Sequence, residues 1–235
     1  MILRNSLLFL LLIAFAAIII SLFSTNYSEA EQLGIVAKHY AENAKSEVGA
    51  PNLVSAVVVT YRGLDTLGEV VILFLTAAII GFMLKSKHSV NNSDKRIKGS
   101  EILETAANAL VPIIILFGSY IFINGHLSPG GGFQGGAVIA SAFVLLVMAK
   151  ANAKLSHKII SFTESVSGFS FVIIGVLGII LAAGFLDNTF LPLGKYGSII
   201  SAGAIPIIYI FIGLKVGSEL TSIVNNLKES QNIEI

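Results

Sequence analysis

Four times in its second half the chain runs through an uninterrupted apolar block: Ala106 to Ile123, Gly132 to Ala149, Val166 to Leu186 and Gly197 to Val216. Blocks of about 17 to 25 apolar residues are what a helix needs to cross roughly 30 Å of hydrocarbon. None alternates with period two, which sets aside a transmembrane β-barrel. Two further apolar stretches precede them, Leu7 to Phe23 and Leu53 to Leu84. The fold class this predicts is all-α and polytopic, with about six transmembrane helices. Composition agrees: 12% of the 235 residues are charged and 54% hydrophobic, where ordinary globular domains carry about 25% charge. Without cysteine there is no disulfide or thiolate metal site, and a net charge of +1 offers no basic stripe for nucleic acid.

The second stretch has an internal break. As one straight helix, Leu53 to Leu84 would be about 48 Å long at 1.5 Å per residue, and Tyr61 to Glu69 interrupts it with charge. A bent or interrupted helix near 61–69 is expected. The first stretch, behind Arg4, has the outline of a signal peptide, but its only small-x-small site, Ser28-Glu29-Ala30, lies late, so a retained span is expected. The connections divide the charge unevenly: His126 to Gly132 has no Lys or Arg, while Lys150 to Lys158 has three Lys. By the positive-inside rule six spans place both termini in the cytoplasm, with about eleven of the 15 Lys and Arg inside and about three outside. The protein is thus expected to be a multi-pass component of the cell membrane.

Two segments carry the chemistry. In Arg62-Gly-Leu-Asp65-Thr66-Leu-Gly-Glu69, helical spacing puts Arg62, Asp65, Thr66 and Glu69 at i, i+3, i+4 and i+7, on one face. Ionised residues inside a span cost about 2.5 to 3.5 kcal/mol each on insertion scales, so they are paired, protonated or wet. Arg62 is the local charge partner of Asp65, which leaves Glu69 for a proton, Na⁺ or a neighbouring chain. Asp65, Thr66 and Glu69 are therefore candidates for an ion path; the alternative is an Arg–Asp pair that fixes helix depth, with Glu69 bonded to another subunit.

The second segment, His126-Leu-Ser128-Pro129-Gly130-Gly131-Gly132-Phe133-Gln134-Gly135-Gly136, puts five Gly in seven residues around Phe133 and Gln134, which disfavours regular helix. Unwound backbone at membrane depth is tolerated only under protein or water. His126, Ser128, Pro129, Gly130, Gly131, Gly132, Phe133 and Gln134 are expected to line a cavity or meet another subunit, with a tight external hairpin as the alternative. Gly132, Gly136 and Ala140, Gly213 and Gly217, and Gly168, Gly175 and Ala182 form small-residue faces, for packing within the chain or against partners. Glu164 is expected to cap the fifth span, Lys215 and Glu219 to form an interfacial pair, Pro112 and Pro206 to kink helices, and His88 and His157 to sit solvated in linkers.

Pro51 to Glu69 resembles the small membrane domain at the C-terminal end of the large A subunit of Mrp-type Na⁺/H⁺ antiporters, which also occurs as a separate small subunit in membrane-bound hydrogenase complexes. From about Glu101 onward, above all His126 to Gly136, the chain resembles the B subunit of the same antiporters. The resemblance implies a two-span domain at 1–88, a cytoplasmic linker at 89–103 and a four-span domain at 104–235. It further implies a membrane subunit of a multi-subunit cation/proton antiporter module within a hydrogenase-like, ferredoxin-driven complex, with Asp65 and Glu69 on or near the ion path. Its partners would be other Mrp-type membrane subunits, a hydrogenase-like or ferredoxin-oxidising peripheral arm, and lipid. Na⁺ and H⁺ would be the transported ions, and any redox cofactor would belong to partners, leaving this chain a non-catalytic subunit. A purely structural scaffold is the alternative.

Overall fold

The computed structural model describes residues 2–26, 33–85, 100–150 and 155–231. Most of the expected linker, His88 and the Ser28-Glu29-Ala30 site lie outside these residues. Two compact units divide between His39 and Tyr40. In the first, α1 (Ile2–Asn26) has its apolar stretch at Leu8–Leu22. The helix α2 (Ile35–Glu47) begins in this unit and ends in the second.

The second unit holds five helices long and apolar enough to cross a membrane: α4 (Gly63–Lys85), α5 (Glu101–Ile123), α6 (Gly132–Ala149), α7 (His157–Leu181) and α8 (Ile205–Gln231). Among the described residues the only β pairing is one Gly194–Ser201 bridge, so the all-α polytopic class holds. Each start has a local cause. Ser100 accepts the Leu103 N–H at 3.2 Å and Glu101 and Glu104 lie in the first turn, where the helix dipole favours anions. Gly131, with φ of +152°, turns the chain into α6.

The expected interruption is present. A short turn α3 (Leu53–Ser55), capped by Asn52, runs into a π-helix over Ala56–Tyr61 that closes with Arg62 N–H on the Val57 carbonyl. At Arg62 the backbone leaves the helical region (φ −124°, ψ 37°), and α4 starts afresh at Gly63. The wider π turn shifts the phase of everything after it relative to a continuous α-helix.

The last two spans begin and end elsewhere than the apolar blocks do. The α7 helix runs from His157 to Leu181 and α8 from Ile205 to Gln231, instead of Val166 to Leu186 and Gly197 to Val216. The intervening chain turns through left-handed backbone at Leu186, Gly194, Gly197, Ala202 and Gly203, which no helix accommodates. Asn188, fully buried, holds this stretch by donating to the carbonyls of Val48 (2.8 Å) and Ala202 (2.9 Å) while accepting from the Thr60 hydroxyl (3.1 Å). Apolar composition alone does not separate buried loop from helix. Pro206 therefore falls in the first turn of α8, where its missing N–H costs nothing, while Pro112 lies inside α5.

The α8 helix is the hub, packing against α4, α5, α6 and α7. It buries 56% of its apolar window against 11% for α4. Ile205, Ile208, Tyr209, Ile212 and Val216 form the centre of the core with Phe122, Phe171, Val59 and Leu186.

Candidate functional site

The two motif segments are joined. Asn52, just ahead of the π-helix, donates to the carbonyls of Gly125 (2.8 Å) and Ser128 (2.9 Å), and its own N–H meets the His126 carbonyl (3.0 Å). Ser55, fully buried, adds a hydroxyl bond to Gly125 at 2.5 Å. The turn between α5 and α6 has carbonyls that no helix can satisfy, and Asn52 and Ser55 supply their donors. His126 is buried inside this joint. Its Nε2 lies 3.3 Å from the Ser198 carbonyl, which, being acceptor-only, assigns the proton to Nε2. Nδ1 has no hydrogen-bond partner among the described residues. Burial holds its pKa below the ordinary 6.5, against the opposite pull of the Ser198, Ile123 and Ile199 carbonyls.

The glycine run lets backbones touch. Gly130 and Gly131 take φ of +158° and +152°, a region closed to residues with a Cβ. A Cβ on Gly135 would stand 2.6 Å from the Gly118 carbonyl oxygen of α5, and one on Gly136 2.7 Å from that of Gly213 in α8. Gly217 faces Gly136 and Ile139, and Gly175 lies against Phe185. The Gly135, Gly136 and Gly217 contacts pack the chain's own helices, and Gly175 packs the connection that follows α7. Of the expected cavity or contact residues, His126, Gly131 and Gly132 are buried, Ser128, Gly130 and Phe133 are half-buried, and Pro129 and Gln134 are exposed. Phe133 packs against the core.

The charged run does not keep one face. Arg62 and Asp65 form the expected ion pair, with side chains 63% and 54% exposed. Glu69 is exposed as well, whereas Thr66 turns inward and donates to the Val58 carbonyl at 2.6 Å. Thr66 follows Asp65 directly and so lies about 100° round the helix from it, which turns it inward while Asp65 and Glu69 stay outside. Thr66 thus serves the backbone, and Asp65 and Glu69 share the outward face of the least buried span. An open recess of about 560 Å³ lies at the top of α4, bordered by Thr60, Arg62, Asp65, Gly184 and Phe185. Beside it Tyr61 donates to Glu47 at 2.5 Å and stacks on Tyr40, and burial followed by the Glu47 carboxylate pushes its pKa up.

A second charged group sits deeper than sequence reasoning placed it. With α8 starting at Ile205, Lys215 lies roughly 15 Å along its axis and Glu219 about 21 Å, at 1.5 Å per residue, mid-span rather than at an interface. Lys215 Nζ is 2.6 Å from Glu219 Oε1 and 3.7 Å from Glu164 Oε1. Glu164 stands two turns inside α7, which Ser156 precedes, so it caps nothing. His157 opens α7 and meets Asn225 Nδ2 at 3.0 Å instead of lying in a linker. Pro206, the residue best placed to mark the true start of α8, is the sequence signal that could have moved Lys215 and Glu219 to mid-span. Among the described residues no His, Asp and Glu cluster could hold a metal ion.

A bundle of span-length helices around a central helix with buried charge, stapled by a glycine-rich turn, defines a polytopic membrane protein with polar groups inside its spans. Residues 102–222 match the family described as a domain related to the MnhB subunit of Na⁺/H⁺ antiporter, and residues 4–96 match the family described as the E subunit of MBH. The chain belongs to the MnhB-related antiporter-subunit family. It is 32% identical over 199 residues, 73% of this chain and 75% of the other, to an uncharacterised protein of Methanocaldococcus jannaschii. It is 37% identical over 92 residues to the B subunit of the Na⁺/H⁺ antiporter of Bacillus subtilis, covering 38% of this chain and 64% of the other. A chain in the structure of the membrane-bound sulfane sulfur reductase, an archaeal respiratory membrane complex, matches with a TM-score of 0.80 and 39% identity over 95% of this chain and 97% of that one. The Mrp complex from Dietzia sp. DQ12-45-1b shares the fold, with a TM-score of 0.70 at 23% identity over 92% of this chain and 25% of that chain.

Proposed function

We propose that the protein is a membrane subunit of a multi-subunit Mrp-type cation/proton antiporter module within a hydrogenase-like, ferredoxin-driven respiratory complex, and that it helps form the path for Na⁺ and H⁺. The observation that carries this reading is Glu69, exposed on the outward face of α4, the least buried of the five spans, where Asp65 already has Arg62. An ionised carboxyl at Glu69 is too costly to face lipid and is met by a neighbouring subunit, a cation or a proton. Near end-to-end similarity to a chain of a respiratory complex supports membership of such an assembly. In this arrangement residues 1–88 and 104–235 are the two family domains, 89–103 links them, both termini are cytoplasmic, and redox chemistry belongs to partner subunits. His126, Ser128 and the 129–134 turn lie beside the path, with exposed Pro129 and Gln134 meeting a neighbour.

The Arg62–Asp65 pair favours a second reading, a scaffold whose charges lock it to its neighbours. Glu69→Gln separates the two. Shape and hydrogen bonding are kept and titration is lost. An assembled complex that loses most Na⁺-dependent proton movement in liposomes supports the ion path, and wild-type transport across pH and Na⁺ concentration replaces it with the scaffold.

A further inference from the structure

At the contact of α7 with α8, two carboxyl groups share one ammonium. Glu219 is fully buried, and its Oε2 has no hydrogen-bond partner among the described residues. The Lys215 side chain is 8% exposed and Glu164 is 21% exposed. The ammonium also lies 4.6 Å from the centre of the Phe74 ring of α4, and Gly168 leaves it room, since a Cβ there would stand 3.2 Å from Lys215 Cε. Fully ionised, the group carries one uncompensated negative charge in the middle of a span, where unpaired charge is strongly disfavoured. One proton removes it: the Glu219 carboxylate takes up H⁺ to become the acid, no other bond changes, and Lys215 is left paired with Glu164.

Among the described residues no other Lys, Arg, Asp or Glu is buried, and the remaining titratable residues of α7, His157 and Lys158, are exposed in its first turn. The α6 helix has no titratable residue over Gly132–Ala149, and those of α5 are Glu101 and Glu104 in its first turn and Tyr120 near its other end. On α4 the group faces Phe74, with Asp65 and Glu69 earlier in that helix and Lys85 at its end. Ser218 and Thr221 donate to backbone carbonyls of their own helix. About 9 Å further along α8, at 1.5 Å per residue, buried Asn225 meets His157.

We propose that Glu219, backed by Lys215 and Glu164, is a proton-binding site that alternates between carboxylate and acid as the complex exchanges cations for protons. This deepens the antiporter-subunit reading and rests on it. Dicyclohexylcarbodiimide, which modifies protonated carboxyls in apolar surroundings, tests the site in the intact wild-type complex with peptide mass spectrometry. An adduct on Glu219 is expected, rising several-fold between about pH 9 and about pH 6, since the acid-to-carboxylate ratio changes about tenfold per pH unit. No adduct on Glu219, one on Glu164 alone, or one independent of pH overturns the proposal. Glu219→Gln is expected to assemble and to slow proton-coupled cation exchange by at least roughly tenfold, the order that a lost acid–base group costs, while Glu219→Asp keeps part of the rate with a displaced pH profile. Unchanged exchange in an assembled Glu219→Gln complex overturns it, and where that variant fails to assemble the wild-type labelling decides. Failure of the Glu69→Gln test leaves the labelling result standing, so the two readings fall separately.

Discussion

Asn52 donates its side-chain amide to the Gly125 carbonyl across 73 residues of sequence, at 2.8 Å. This bond and its companions to Ser128 and His126 make one joint of two segments that each fold locally. Asn52→Ala takes the amide donor from the Ser128 carbonyl, leaves the Gly125 carbonyl with the Ser55 hydroxyl alone, and removes the cap that Val54 N–H uses. Each unmet buried group costs about 1 to 3 kcal/mol, so the variant should lose roughly 2 to 4 kcal/mol, seen as a lower thermal midpoint of the purified complex. Asn52→Asp, which keeps the cap but not the amide donors, should recover little of it.

Gly136→Leu should be more damaging than Gly184→Leu. At Gly136 a Cβ meets the Gly213 carbonyl at 2.7 Å and Val216 Cβ at 2.8 Å, whereas Gly184 has nothing within 4 Å. Overpacking against backbone costs about 1 to 3 kcal/mol or more, enough to lower the yield of folded protein. Equal yields for the two variants would mean that α6 and α8 do not pack this closely in the membrane.

Lys215→Met removes the cation from between two carboxyls. A buried charge stripped of its partner costs on the order of 3 to 5 kcal/mol, and the predicted outcome is poor assembly, measured by co-purification of neighbouring subunits. The double variant Lys215→Met/Glu219→Leu should assemble better than the single one, because it leaves no ion inside α8. It should remain inactive in proton-coupled exchange.

Stability should fall on mild acidification through His126. Burial sets its folded pKa below the unfolded value of 6.5, so between the two the unfolded chain binds more protons and stability rises with pH. His126 therefore contributes fully above about pH 6.5, and its contribution is lost as pH falls from there through the folded value. His126→Gln should flatten thermal midpoint against pH over that window, and a slope identical to wild type would assign the acid sensitivity elsewhere.

Asp65→Asn acts at a pair that is local and exposed. It leaves Arg62 without its partner on the outward face, and a lower yield of assembled complex is expected, with exchange per assembled complex close to wild type. Loss of exchange at wild-type yield would place Asp65 itself on the ion path.

What depends on near neighbours was legible in the sequence. Apolar blocks of spanning length give α1 and the five helices of the second unit, the charged run breaks the helix at Arg62, and the Arg62–Asp65 pair forms because the two residues are three apart. What depends on which elements surround a residue was not. The apolar run from Gly197 carries no mark that it is buried loop; Asn188, bound to Val48 and Ala202, holds it against helix, and this moves Lys215 and Glu219 from the end of a span to its middle. Glu164 finds Lys215 only because α7 and α8 pack together. Which side of α4 faces inward is set by its packing on α8 and by the Thr66 bond to the Val58 carbonyl, so Thr66 enters the interior while Asp65 and Glu69 stay outside. Helix length and local pairing follow from residue type at short range; helix phase and the company of a buried charge are set by long-range contacts that no single segment specifies.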